Sequence, residues 1–369
     1  MDVIFLRITI LTNGPGELWG WVRPVCAELR RRGHTISLWV LPCQFSSGHE
    51  REAASLLGVD KLEGPAVASR IWHDIAYERT DSIIQLGGDT AFGRRMAECT
   101  NAPLFVYSYA PHHVNGAKLL TAYPSMSGQV PDVEVIGDLV KDAVALDSTP
   151  GALSAWNWNA DPDSPRVIFL PGSRPAIRKP ALSWLVDAQK ALRQRIPNIR
   201  VRTLFPPFVS DSELVEWRDA GLSPVKAGAG VAMREADFAL TQPGTNTLEL
   251  MHCGLPALVV APTKFLPFVP IAGVLGFLAG LPLIGLKLRK FGAMRTIRKR
   301  GGFISLPNRI AKYKLMHEMY GDITPEDAAE EITERINHPE ALKKTRDELL
   351  ALSGKAGAAA RLCDIASAK

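Results

Sequence analysis

Cysteine is scarce in this sequence, and what there is stands apart. Cys26, Cys43, Cys99, Cys253 and Cys363 are the only five in 369 residues, and none shares the close pairing of a zinc site. They lie in or beside apolar stretches, which fits reduced thiols in a cytosolic protein rather than a disulfide framework. The dinucleotide fingerprint of three spaced glycines is missing, which weakens a dehydrogenase reading. The Gly-x-Ser-x-Gly elbow is missing too, which weakens one common hydrolase form. No Asp-x-Asp pair stands at a strand end, so no metal ion is expected. Val3 to Leu11 is too short for the apolar core of a cleavable signal peptide and leads straight into a Gly-rich loop, so none is expected. Internal repeats and low-complexity tracts are absent.

What is present is globular. The chain is 46% hydrophobic and 22% charged, with 30 Gly and 27 Pro, too apolar for disorder and long enough for two domains. Short apolar runs alternate with helical periodicity in the manner of a parallel α/β protein. Val3 to Leu11 reads as a strand broken by Asn13-Gly-Pro-Gly-Glu17. A helix through Trp21, Val25 and Leu29 follows to Arg32, and Ile36 to Leu41 is the next strand. Strand, Gly-rich loop, helix, strand opens a doubly wound domain. Its loop either admits a substrate close to the backbone or is merely a tight turn.

Ser82 to Leu86 is a further strand ending in Gly87-Gly-Asp89. A carboxylate just past a strand end is placed to serve as a general base; it is equally placed to cap the following helix. Pro103 to Ser108 is followed by a loop with adjacent His112 and His113, which lack a third ligand at zinc spacing and stand as the alternative base. Val133 to Ile136 and Gly137-Asp-Leu-Val-Lys-Asp142 close the domain. A breaker-rich linker runs to Pro165, and the second domain opens with Val167 to Leu170 and Pro171-Gly-Ser-Arg174. Arg174 there has the fork to meet a diphosphate bidentately.

The stretch from Asp237 to Val260 organises the second half. Two apolar runs bracket Gln242-Pro-Gly-Thr-Asn-Thr247 and one helix. First-turn amides with no intrahelical partner suit phosphate, and Glu249 follows on the same helix. An ordinary capped helix start is the competing reading. Phe303 to Leu306 is expected as the last strand, with Pro307-Asn308 turning out of it. Thr324-Pro-Glu326 starts a helix to His338, and a second helix is expected from Pro339 to about Leu362.

Charge is uneven. Phe265 to Leu286 is the most apolar stretch, interrupted by Pro267, Pro270 and Pro282, which argues against one straight spanning helix. Lys287, Arg289, Lys290, Arg295, Arg298, Lys299 and Arg300 follow without an acidic residue. This is either a surface that rests on an anionic leaflet or a buried segment with a solvated end.

Taken together, the motifs resemble those of the lipid-A-disaccharide synthases, glycosyltransferases of the GT-B class, over roughly Ile8 to Leu350. The clearest pieces are Leu170-Pro-Gly-Ser-Arg174, Pro243-Gly-Thr-Asn-Thr-Leu-Glu249 and Ile304-Ser-Leu-Pro-Asn308, with Gly137-Asp-Leu-Val-Lys-Asp142 matching a weaker segment. The resemblance implies an α/β, GT-B-like fold of two doubly wound Rossmann-like domains with an intervening cleft. They would span residues 1–155 (acceptor side) and 156–345 (UDP-sugar side), with a C-terminal helix, 346–369, packing back toward the first. It implies inverting transfer of an acylated glucosamine from UDP to an acylated glucosamine 1-phosphate, at the cytoplasmic side of the inner membrane.

By the same resemblance Arg174, Gly244, Thr245, Asn246, Thr247, Glu249 and Asn308 would line the UDP site. Asp89 would be the base, and Gly14, Gly16 and Glu17 would lie on the acceptor side. Phe265, Leu266, Phe268, Phe277, Leu278, Lys287, Arg289 and Lys290 would face the anionic membrane. No cofactor beyond the UDP-sugar substrate and no nucleic-acid partner is expected. The chain departs from the family at Ala110-Pro-His-His-Val-Asn115, at Thr90-Ala-Phe-Gly93, at Ala176-Ile-Arg178 and at Pro243 and Asn246. Two other classes therefore stand beside the main reading. One is a transferase or epimerase using UDP-N-acetylglucosamine with a different substrate; the other is a non-catalytic sugar-nucleotide or lipid-binding protein.

Overall fold

The computed structural model describes residues 5–43, 48–128, 130–147, 163–172, 174–268, 292–298 and 301–368. The chain divides into two units, one of Met1–Ala143 with Gly354–Lys369 and one of Val144–Ser353.

The first unit runs β1 (Arg7–Thr12), α1 (Pro15–Glu17), a π-helical turn (Leu18–Val22), α2 (Arg23–Arg31), β2 (Thr35–Val40), α3 (Glu50–Ser55), β3 (Lys61–Glu63) and α4 (Ala68–Asp74). It continues through β4 (Ser82–Gln85), α5 (Thr90–Thr100), β5 (Leu104–Tyr107), β6 (Ala117–Thr121), β7 (Glu134–Val135) and α6 (Leu139–Leu146), which crosses the division. The strands form one parallel sheet in the order β3-β2-β1-β4-β5-β6-β7. β1 and β4 lie at the centre of the sheet and are buried along nearly their whole length, with Ile8, Ile10, Leu11, Ile83 and Ile84 as their apolar residues. Leu11, Ile83, Met96, Leu104 and Val106 belong to one buried cluster on this sheet.

The second unit runs β8 (Arg166–Leu170), α7 (Pro175–Arg195), β9 (Arg200–Phe205), α8 (Asp211–Asp219), β10 (Pro224–Lys226), α9 (Ala229–Arg234) and β11 (Phe238–Thr241). Then come α10 (Asn246–Cys253), β12 (Ala257–Pro262), α11 (Leu306–Ala311), β13 (His317–Gly321), α12 (Pro325–Ile336) and α13 (Pro339–Leu352). Its sheet is parallel in the order β10-β9-β8-β11-β12-β13. A final helix, α14 (Ala358–Ser367), belongs to the first unit and packs on α2.

Two expectations fail here. Phe303 to Leu306 is not a strand: Ser305 caps α11 by accepting from the Asn308 amide, with Pro307 in the first helical turn. The cap-and-proline signature outweighed a short apolar run. The last strand is instead β13, His-Glu-Met-Tyr-Gly, whose edge position requires no apolar run. The helix expected from Pro339 to Leu362 is two helices. It stops after Leu352, and the chain re-enters helix behind Gly357 at a left-handed φ of 96°. The linker residues 148–162 lie outside the described residues.

Candidate functional site

In both sheets the strand order reverses beside the first strand of the unit. Crossovers leave in opposite directions there, so the loops at the carboxyl ends part and leave a crevice where ligands gather. In the first unit the switch lies between β1 and β4, and in the second between β8 and β11. The loops there are Asn13 to Glu17 with Gly87 to Asp89, and Pro171 to Arg174 with Gln242 to Thr247. Each unit therefore brings together the glycine-containing loops that the sequence had marked far apart.

In the first unit the Thr12 hydroxyl donates to the Leu86 carbonyl at 2.8 Å, tying the two strand ends. Gly87 and Gly88 both have positive φ, 103° and 77°. A side chain on Gly87 would come within 3.1 Å of Asn13 and Glu17, so glycine is what lets the two loops meet. Gln85, fully buried at the end of β4, shapes the turn by donating to the carbonyls of Gly87 (3.2 Å) and Asp89 (2.9 Å). Sequence reasoning passed over it; a polar residue closing an otherwise apolar strand was the available signal.

Asp89 caps α5, its Oδ1 accepting from the Ala91 amide at 2.9 Å, while the residue stays exposed. A single acceptor position is used by that cap bond, and the carboxylate remains open to solvent. His112 Nε2 sits 3.2 Å from the hydroxyl of Thr90, the residue after Asp89, so the two candidate bases occupy one rim. His113 is exposed on the same loop. Gly14 is the residue before α1, and the Glu17 carboxylate folds back over it; Gly16 is the second residue of α1.

The same unit holds a buried carboxylate the motif reading did not explain. Asp138 accepts from the Tyr109 hydroxyl at 2.6 Å, the Tyr123 hydroxyl at 3.3 Å and the Val140 amide at 3.0 Å. Trp21, carried on the π-helical turn, donates its indole N–H to the Tyr109 oxygen at 3.1 Å. Burial first, then the Asp138 charge, pushes the phenol groups of Tyr107, Tyr109 and Tyr123 above the usual tyrosine range.

In the second unit Arg174 stands at the N-cap position of α7, half-buried, and Gln242 bridges the loops through a long 3.4 Å bond to the Pro171 carbonyl. Gly244 is exposed, and Thr245, Asn246 and Glu249 are half-buried at the start of α10. Asn246 donates to the Thr241 hydroxyl at 2.6 Å. Ser173 lies outside the described residues.

Two of the residues expected at the UDP site are spent elsewhere. Asn308 is fully buried: its amide nitrogen donates to the Met316 carbonyl and Glu318, and its oxygen accepts from the amides of Leu315 and Met316, all within 2.8 Å. Those four bonds use both donor hydrogens and two acceptor positions, so the side chain braces the α11–β13 turn rather than lining a ligand site. Thr247 is likewise buried, with its hydroxyl donating to Gly244 at 2.7 Å and accepting from Leu306 at 3.4 Å. It fixes the loop from behind.

The membrane-facing expectation also changes. Phe265 is buried, edge-on to Trp184 at 6.1 Å between ring centres, with the Lys264 ammonium 5.5 Å above its ring. It is core. Leu266 is half-buried. The Phe268 side chain, Phe277, Leu278, Lys287, Arg289 and Lys290 lie outside the described residues. Among the described residues no helix is long and apolar enough to cross a membrane, and no three His, Cys, Asp or Glu side chains are grouped to hold a metal ion.

Known proteins place this architecture. The profile of the lipid-A-disaccharide synthetase family matches residues 129–275, a span that takes in the end of the first unit and both switch loops of the second. No curated protein sequence matches the chain. Solved structures match over nearly the whole length. MurG of Acinetobacter baumannii is 13% identical with a TM-score of 0.55, covering 98% of this chain and 99% of its own. A UDP-N-acetylglucosamine 2-epimerase from Listeria monocytogenes, described as putative, is 12% identical with a TM-score of 0.61, covering 98% of this chain and 95% of its own. The Neisseria meningitidis UDP-GlcNAc 2-epimerase, solved bound to UDP-GlcNAc, is 12% identical with a TM-score of 0.55, covering 97% of this chain and 98% of its own. The protein has a GT-B-like fold, two Rossmann-like α/β units with parallel sheets.

Proposed function

We propose that the protein is an enzyme that breaks the anomeric carbon–oxygen bond of a UDP-linked hexosamine, as a transferase or an epimerase of the GT-B class. The observation that carries this is the loop pair at the β8–β11 switch point, where Arg174 at the start of α7 and the exposed Gly244 just before α10 follow two neighbouring strands. Negative charge builds on the diphosphate as the bond breaks, and preorganised donors of this kind stabilise it. Fold neighbours named for UDP-N-acetylglucosamine chemistry support the same donor class.

In the transferase form, an acceptor hydroxyl oxygen bonds to the anomeric carbon as UDP departs from the opposite face. Its proton passes to Asp89, with His112 as the neighbouring alternative. A second reading makes donor and acceptor acylated glucosamines, the lipid A disaccharide reaction, and the family match over residues 129–275 favours it. A peripheral position on an anionic membrane belongs to that second reading.

Incubating the purified chain with UDP-N-acetylglucosamine or its acylated form, with and without lipid extract, separates these. UDP release dependent on lipid supports the acyl-sugar reaction; a new UDP-sugar epimer without release supports epimerisation. UDP binding with neither product would leave a sugar-nucleotide-binding protein. On the binding side, Arg174→Ala should weaken UDP by about 1.5–3 kcal/mol, the scale of a charge-assisted contact, and unchanged calorimetric affinity would remove Arg174 from the site.

A further inference from the structure

Arg178 is the most deeply buried cation among the described residues, with no exposed surface. It lies in the first turn of α7, where the helix dipole disfavours positive charge, and it has been taken out of water. Both features cost stability. Its partner is Glu213 in the first turn of α8: Nε meets Oε1 at 2.6 Å and Nη2 meets Oε2 at 2.7 Å, a full fork-to-fork pair. Ser210 caps α8 through the Glu213 amide. A glutamate at that position ordinarily reaches back to the cap residue, but this one commits both oxygens to Arg178.

What the pair touches gives it a use. Nη1 of Arg178 points to the carbonyl of Gly172 at 3.4 Å, and its guanidinium carbon lies 6.0 Å from the Phe205 ring centre at the end of β9. Gly172 has a φ of 96° and leads to Arg174 two residues later. The guanidinium therefore links α8 and β9 to the left-handed corner of the loop after β8. We infer that Arg178 and Glu213 are a positioning pair that sets the Gly172 corner, two residues before Arg174, for a diphosphate, an inference that rests on the donor-site reading above. A buried ion pair can often be replaced by apolar side chains without loss of stability, so stability alone does not account for it.

The test is the double variant Arg178→Met/Glu213→Leu in the full chain, with Arg178→Lys beside it. Three quantities are read: the melting temperature, hydrogen exchange of the amides at 172–178, and UDP affinity by calorimetry. The double variant should melt within a few degrees of wild type. Its loop amides should exchange at least about tenfold faster, and UDP should bind about 10- to 100-fold more weakly, the effect of misplacing a contact by an ångström or less. Wild-type exchange and affinity in a folded double variant would overturn the proposal. If that variant does not fold, Arg178→Lys decides, since it keeps the charge and loses the fork; wild-type behaviour there overturns the proposal too. Faster exchange in a protein whose wild type binds no UDP would refute the donor-site reading alone and leave the brace standing.

Discussion

The carboxylate of Asp142 accepts the amides of Gly357 and Ala359, one on each oxygen and each at 2.7 Å, across 215 and 217 positions of chain. It thereby caps α14 and pins that helix to the start of α6. The neighbouring Lys141 adds a 2.6 Å bond to the Gly354 carbonyl. Asp142→Ala should cost roughly 2–3 kcal/mol, because two charge-assisted bonds to a helix start are lost together. Asn keeps one acceptor and should fall between. Urea unfolding followed by circular dichroism measures both, and an alanine variant with the wild-type midpoint would deny Asp142 this role.

Asp89→Asn separates cap from base. The cap bond to Ala91 survives in asparagine, which ranks with aspartate at helix starts, so the melting temperature should hold. Turnover should fall by about 10²–10⁴, the scale of a lost general base, with UDP affinity nearly unchanged. Initial rates at saturating donor and acceptor check it. Near wild-type turnover would shift the role to His112 or His113.

Phe265→Ala tests whether this ring belongs to the core of the second unit. A ring buried against Trp184 leaves a cavity when removed, and the loss should be roughly 3–5 kcal/mol. Liposome sedimentation should be insensitive to it under conditions where the variant remains folded. A variant as stable as wild type that no longer sediments with anionic vesicles would return Phe265 to a membrane surface.

Acid should act partly through Glu28. Hydrogen bonds from Arg31 and then Arg32 hold its carboxyl near 2, below the ordinary 4.5, against the upward push of burial. Between those values the unfolded chain binds the proton and the folded chain does not. Glu28's contribution is thus fully present above about pH 4.5 and fades as pH falls toward 2. Thermal melts from neutral pH to pH 2.5 should drop less steeply for Glu28→Gln than for wild type; parallel curves would mean that Glu28 is not held in this way.

Much of the fold was legible because buried parallel strands have to be apolar. Ile8 to Leu11, Ile83 to Leu86, Val167 to Leu170 and Phe238 to Leu240 announce the strands on either side of both switch points. The glycine loops after them mark the carboxyl ends. Edge strands obey no such rule, which is why β3 and β13, at the rims of their sheets, carry no pattern to read. The site was legible in its loops and not in its supports. Gln85, Arg178 and Glu213 act through partners that only the folded chain supplies, and Asn308 looked like a ligand residue because motif spacing says nothing about burial.

The division of the chain has a consequence for its synthesis. The second unit is contiguous, from Val144 to Ser353, whereas the first begins at the N-terminal side and is completed only by the segment from Gly354 onward. A ribosome making this protein releases every strand of the first sheet before the second unit, yet makes α14, the helix that packs on α2, only after it. Throughout that interval α2, whose Val25, Cys26 and Leu29 are buried in the finished fold, lacks the helix that carries Leu362 and Cys363. The nascent first unit lacks α14 while the second is made, and that helix is added afterwards to a unit whose strands came before the second.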